Sequence, residues 1–269
     1  MISPNPSQNS CISSPLEHLA FMLARSSAST VFPLLLTLSA SGGVIEVGAS
    51  RDTTLYESAT GAIGNGSGQF LFAGTTNQPQ LRRAIFAFEP NSLLPENAIV
   101  LGVSLRLHLA STSTLSSHLS LHRVHSNWSE GPSDAAGNEG SGAPAVVGDA
   151  TWIHSSNPGS VWNTPGGDFD PNSIGSAIVG DVGFYSWTSA DMLADVQSWI
   201  MSPQSSFGWM LRGDESTAGT ARRFDSSESL DSSLVPTLVI EYTIVPAPGA
   251  IALLLLSTAF AKPTRRRRA

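Results

Sequence analysis

Cysteine and lysine are almost missing from this sequence. Cys11 is the one cysteine and lies outside the patterned body, which therefore holds neither an internal disulfide nor a cysteine-ligated zinc. At 269 residues the chain is long enough to bury a full core without such a staple. Charged residues make up 13%, roughly half the usual share, which excludes a coiled coil rich in Ala, Glu, Lys and Leu. Long apolar runs are also lacking, since both terminal runs fall short of the ~20 residues that a membrane helix needs. The chain has no G-x-S-x-G elbow, no phosphate-cradling G-x-x-x-x-G-K-[ST] and no H-E-x-x-H. Present instead are 24 Gly, 17 Pro and about one Ser in every six residues, a composition suited to many short strands and turns. Apolar alternation recurs along most of the length, which argues against general disorder.

The formal charge of −7 is unevenly spread. Lys262 and the run Arg265, Arg266, Arg267 and Arg268 stand near the C-terminal end. Between Arg51 and Tyr242, eight arginines face nineteen carboxylates, a formal charge of −11. Phosphate contacts need a basic surface, so no nucleic-acid partner is expected.

Both ends read as addresses. Residues 1–30 are polar and irregular, an apolar run covers 31–38, and small residues follow from Ser39. Read from Met22, the expected true start, Arg25 and this run have the layout of a secretory signal peptide. Residues 1–49 are thus expected to be an export region, cut near Ser41 or near Ala49. At the other end, 244–269, Val245, Pro246 and Pro248 precede an apolar stretch and the arginine run, which would stay on the cytoplasmic side. This order resembles the PEP-CTERM sorting signal of bacterial surface proteins, with Ala247 where that family has Glu. The resemblance implies cutting by an exosortase-type processing enzyme, transient inner-membrane anchoring, and a final place on the cell surface or in the extracellular matrix.

Between the ends the pattern is β. Residues 81–88, 103–110, 119–124, 207–211 and 237–242 read as strands. In the clearest, Val103, Leu105, Leu107 and Leu109 fall on one face and Ser104, Arg106 and His108 on the other. Asn65-Gly66 signals a turn. Met192, Val196, Trp199 and Ile200 follow helical spacing, with Thr188 as the expected cap, Asp191 three residues on, and Pro203 as the stop. One helix among many strands predicts a sandwich plugged at one end, not alternating β and α units. Residues 129–149 and 155–175 are polar and glycine-rich, so they are expected to be long surface loops, a common seat of function.

Six segments carry a further resemblance: DTTLYES from Asp52, LRRAIFAFE from Leu81, LSLHRV from Leu119, FGWMLRGDE from Phe207, RRFDSSE from Arg222 and PTLVIEY from Pro236. In order and pattern, over roughly 51–243, they resemble a DNRLRE domain, also grouped as carbohydrate-binding module family 96. The resemblance implies an all-β, jelly-roll-like β-sandwich over 50–243, non-catalytic, with polysaccharide binding known for some members.

Candidate sites follow from side-chain chemistry. Arginine forks grip carboxylates through paired hydrogen bonds, so Arg82, Arg106 and Arg223 are candidates for an acidic polysaccharide, or else for ion pairs that hold loops. Trp152 and Trp162 flank the polar loops and either stack on sugar rings or pin the loops to the sandwich. Asp168, Asp170 and Asn172 have the opening spacing of a calcium loop, but Ser173 and Val179 at the sixth and twelfth positions exclude an EF-hand. No cofactor is otherwise expected, and a structural calcium in a looser loop stays open. His118, His122 and His125 read as ordinary histidines rather than metal ligands.

Two functions compete: an exported module that binds polysaccharide, and a structural adhesion or envelope protein with no small ligand. A polysaccharide hydrolase or lyase run by paired carboxylates is a third reading.

Overall fold

The computed structural model describes residues 41–112 and 116–244. The expected export signal up to residue 40 and the sorting segment from Val245 onward, with Pro246, Pro248 and Arg265 to Arg268, lie outside the described residues.

The described chain is all-β apart from one α-helix and two short 3-10 turns. In order, the strands are β1 (Ser41–Gly48), β2 (Arg51–Tyr56), β3 (Ile63–Gly64), β4 (Phe70–Thr75), β5 (Leu81–Ala87), β6 (Ala98–Ser111), β7 (Ser117–Val124) and β8 (Ala143–Pro144). They continue with β9 (His154–Ser156), β10 (Ser160–Val161), β11 (Phe169–Val179) and β12 (Gly183–Trp187). After helix α1 (Ala190–Met201) come β13 (Trp209–Arg212), β14 (Arg222–Asp225) and β15 (Thr237–Ile244). All pairings are antiparallel, and the main strands form one large curled sheet that folds into two layers.

β6 is the spine of the first layer. Its alternation buries Val103, Leu105, Leu107 and Leu109, as the period-two pattern predicts. β15 and then β14 follow each other along one edge of β6, and β12 takes the other. β1 pairs with β15 over its whole length, from Ser41 opposite Ile244 to Gly48 opposite Thr237. β1 therefore falls inside the 1–49 segment read as an export region, yet it contributes the buried Val47 to the core. The second layer places β5 between β2 and β13 and continues through β7 to β11.

β4 joins the layers. Phe70 to Ala73 pair with β14, and Gly74 and Thr75 then pair with β5. Gly74 sits at this switch with φ +116°, and a Cβ there would lie 2.7 Å from the Thr220 carbonyl. Only glycine meets both demands.

The principal core lies between the layers and is closed by Met192, Val196 and Trp199 of α1. The helix cap is Ser189 rather than the expected Thr188. Ser189 Oγ accepts from the Met192 N–H at 3.1 Å, while Thr188 Oγ1 donates to the Val103 carbonyl. The helix begins at Ala190, which puts Ser189 in the capping place, and its hydroxyl donates to the Ile174 carbonyl while it accepts the Met192 N–H. Asp195 docks the helix: it accepts from Trp209 Nε1 at 2.9 Å and from Arg123 Nε at 2.7 Å.

Of the two long segments read as surface loops, 129–149 is irregular apart from β8 and mostly exposed or half-exposed, whereas 155–175 differs from that expectation. β11 takes the last third of 155–175, from Phe169 onward, and forms a ladder with β7. Trp128, Ala150, Trp152 and Trp162 meet Leu55, Ile85 and Met210 in a second apolar cluster. The loops are thus a packed outer layer, because strand positions such as Leu55 and Ile85 would otherwise expose apolar side chains.

Candidate functional site

Residues 129–149 wrap over the face of β2 and β4 that carries Asp52, Thr54, Tyr56, Phe70 and Phe72. A buried glutamate fixes the wrap. The Glu139 carboxylate accepts from the N–H groups of Gln69 and Phe70 and from Asn65 Nδ2, all near 3 Å. Asn65 in turn accepts from the Ala135 N–H, and Tyr56 donates its hydroxyl to the Glu139 carbonyl. Asp149 does the same further along, accepting from the N–H groups of Ser133 and Val146. Every donor involved is a buried or half-buried group that needs a partner, so these two acids hold the loop course.

The nominated arginines fall in two places. Arg82 and Arg223 line one cavity of about 370 Å³ together with Phe72, Asn77, Asn138 and Gly140. Arg82 is buried, lies 4.7 Å from the Tyr56 ring centre, and donates to the Gly140 carbonyl. Arg223 sits 4.1 Å from the Phe70 ring centre and donates to Asn138 Oδ1 at 3.2 Å. Arg106 is not part of this cavity. It forms a two-pronged pair with Glu46 of β1, both bonds 3.0 Å.

The nominated tryptophans are not on the surface. Trp152 and Trp162 are 8% and 4% exposed and belong to the second apolar cluster. Arg83 lies over Trp152 at 4.8 Å, and the Trp162 indole donates to the Thr151 carbonyl. Their ring faces are spent on packing, which corrects the sugar-stacking expectation and favours the pinning one.

The candidate calcium loop at Asp168, Asp170 and Asn172 is engaged by the protein's own donors. Asp168 accepts from Ser126 Oγ, from the Asn163 side chain and from the N–H groups of Asn163 and Thr164. These bonds hold its carboxyl below the ordinary carboxylate range, although burial acts the other way. Asp170 accepts from the Asn172 N–H and faces Arg123 at 3.8 Å. Among the histidines, His122 is buried between Ser120 Oγ and the Asp170 carbonyl, and His118 is exposed.

The acids that do converge are Asp52 of β2, Glu130 of the wrapping loop and Glu228 after β14. Each offers a carboxylate oxygen within 4.8 Å of the others. The Asp52 N–H donates to Glu130 Oε1 at 2.6 Å, Asp52 Oδ2 accepts from the Ser227 N–H at 2.8 Å, and Glu228 Oε2 accepts from Ser227 Oγ at 2.9 Å. Burial raises all three carboxyls; repulsion from Glu228 adds to it at Asp52 and Glu130, with Glu130 reaching about 7, and repulsion from Glu139 adds to it at Glu228. Asp52 and Glu228 both lie in segments quoted for the DNRLRE resemblance, DTTLYES and RRFDSSE. No spacing rule links them, because the fold joins positions 176 residues apart.

No helix among the described residues is long and apolar enough to cross a membrane. Compared with known proteins, the chain matches no family model and no curated protein.

Proposed function

We propose that this protein is an exported, non-catalytic β-sandwich of the cell surface or extracellular matrix that binds polysaccharide. One observation carries the reading: Arg82 and Arg223, both nominated for glycan recognition, line a single cavity with the amides of Asn77 and Asn138. Guanidinium and amide groups beside the Phe72 ring are a donor set suited to a sugar chain, and to a uronic acid most of all. The acidic body repels a polyanion at long range, so binding of an acidic chain rests on these short contacts and survives added salt.

The test is retention of the purified protein on immobilised alginate- and pectin-type polymers beside neutral ones. Retention of the acidic polymers, lost on replacing Arg223 and Asn138 together by Ala and kept in Arg106→Ala, is the expected result. Retention on no polysaccharide leaves the structural reading in front. That reading has its own support in the burial of Trp152 and Trp162 and the engagement of arginines with rings and acids. Export and sorting are tested by the intact mass of protein from its native host. Mature surface protein that keeps both Phe32 and the Arg265 to Arg268 run overturns them.

A further inference from the structure

Three carboxylates from distant parts of the chain are held together without a salt bridge among the described residues, Arg51 acting on Glu130 only from a distance. Among the described residues no Arg or His forms an ion pair with Asp52, Glu130 or Glu228. The neighbouring guanidinium, Arg51, donates to the Trp128 carbonyl at 2.6 Å and to Asn127 Oδ1 at 3.2 Å, and lies 4.5 Å from the centre of the Trp128 ring. Asp52 is 1% exposed, and its Oδ1 meets no hydrogen-bond donor among the described residues. A buried carboxylate oxygen with no partner is a costly group that proteins rarely leave so. Its placement beside two further carboxylates compounds the cost, because each like charge opposes the others. Asp168 and Asp149 show what this chain does with an acid that stands alone, surrounding it with N–H and hydroxyl donors. Asp52 Oδ1 lacks such a surround.

We propose that Asp52, Glu130 and Glu228 form a binding site for a calcium ion. The donor set is all oxygen, with neither His nor Cys within it, which disfavours zinc and the other transition metals. Magnesium keeps most of its water and demands strict octahedral geometry, whereas a site with a fully buried carboxylate replaces water with protein oxygens. The ion would tie the start of β2, the start of the wrapping loop and the connection from β14 to β15. Its role is structural: it fixes the loop that carries Asn138 and Gly140 to the cavity. This inference stands apart from the glycan reading, since the ion can bind whether or not a sugar does.

The experiment uses the full chain stripped with a chelator, then titrated with calcium, magnesium or zinc while thermal unfolding is followed. At a hundredfold excess over its dissociation constant, calcium raises the Tm by about 5–10 °C. Magnesium does less at equal concentration. Glu228→Gln and Glu130→Gln each weaken calcium binding at least tenfold, while the chelated variants melt no lower than the chelated parent, because each removes a repelling charge. That pairing separates a metal ligand from an ordinary stabilising acid, whose loss lowers the chelated Tm. Asp170→Asn retains the full calcium shift. The proposal is overturned by a parent protein that calcium does not stabilise, by an undiminished calcium shift in both glutamine variants, or by loss of that shift in Asp170→Asn.

Discussion

The backbone N–H of Asp52 donates to Glu130 Oε1 at 2.6 Å, so one acidic residue holds the carboxylate of another beside its own. That bond ties the wrapping loop to β2, at the price of bringing negative charge against a carboxylate already out of water. The rest of the loop follows from this anchor, through Asp149 and Glu139, to the cavity bounded by Asn138 and Gly140.

The anchor gives stability an unusual pH dependence. Burial lifts the Glu130 carboxyl from its ordinary 4.5 to about 7, and Asp52 and Glu228 shift the same way. Arg51 opposes the rise at Glu130, and Glu139 adds to it at Glu228. A raised folded value means that the folded chain binds protons which the unfolded chain has released. The stabilisation is complete below the ordinary carboxyl value and is lost as pH climbs to about 7. Urea melts of chelated protein between about pH 5 and pH 8 therefore show stability falling by about 1–2 kcal/mol from Glu130, allowing for its partial exposure. Glu130→Gln flattens that slope, and an unchanged slope in the variant refutes the assignment. Glu215 acts in a separate window. Burial pushes it up, but Arg212 and Arg83 outweigh this and hold it at about 2, so its contribution is lost only as pH falls from 4.5 toward that value.

Leu107 and Arg106 are neighbours on β6 with opposite fates. Leu107 is 1% exposed in the principal core, and Arg106 points outward to Glu46. Leu107→Ala costs about 2–5 kcal/mol through lost transfer energy and the cavity left behind. Arg106→Ala costs less than about 1 kcal/mol, because an exposed ion pair is screened by water. Chemical denaturation of the two variants checks the strand register, and equal losses would contradict it.

Helix α1 depends on Asp195. This carboxylate joins Arg123 of β7 to the Trp209 indole of β13 from a buried position on the helix. Asp195→Ala leaves the buried indole N–H without a partner and costs about 2–4 kcal/mol. The summed tryptophan fluorescence follows the loosening: its emission shifts to the red at lower urea than in the parent. A helix that docked by apolar packing alone would show neither change.

The fold was more legible in the sequence than the site. Alternation in 103–110 identified the spine strand and its buried face, and the spacing of Met192, Val196 and Trp199 identified the helix, because both signals are local. The cap was misread because Thr188 and Ser189 are both competent cap residues, and tertiary packing sets at which of the two the helix begins. The loops were read as surface because glycine and serine dominate them, although a few large residues, Trp128, Trp152 and Trp162, determine their packing. Arg82, Arg106 and Arg223 were read as one patch, but only Arg82 and Arg223 share a cavity, which arises from the pairing of β4 with both β14 and β5. The acid trio had no spacing signal, since its members come from three segments far apart in the sequence. The one available hint was Asp52 itself, an acid opening a run whose other residues were destined for burial.

Trp162 decides between a recognition aromatic and a loop pin. Its ring is 4% exposed, its indole N–H is spent on the Thr151 carbonyl, and its neighbours are the Trp128 and Trp152 side chains of the second cluster. A pin resists removal through stability: Trp162→Ala costs about 3–5 kcal/mol, the range for deleting a buried aromatic. The variant that still folds keeps the parent's affinity for any polysaccharide the protein retains, because no ring face was offered to a sugar. A recognition aromatic gives the reverse, with stability intact and glycan retention lost. Denaturant melts and glycan retention on the same preparation separate the two, and the second pattern would move the ligand site from the Arg82 and Arg223 cavity to the tryptophan loops.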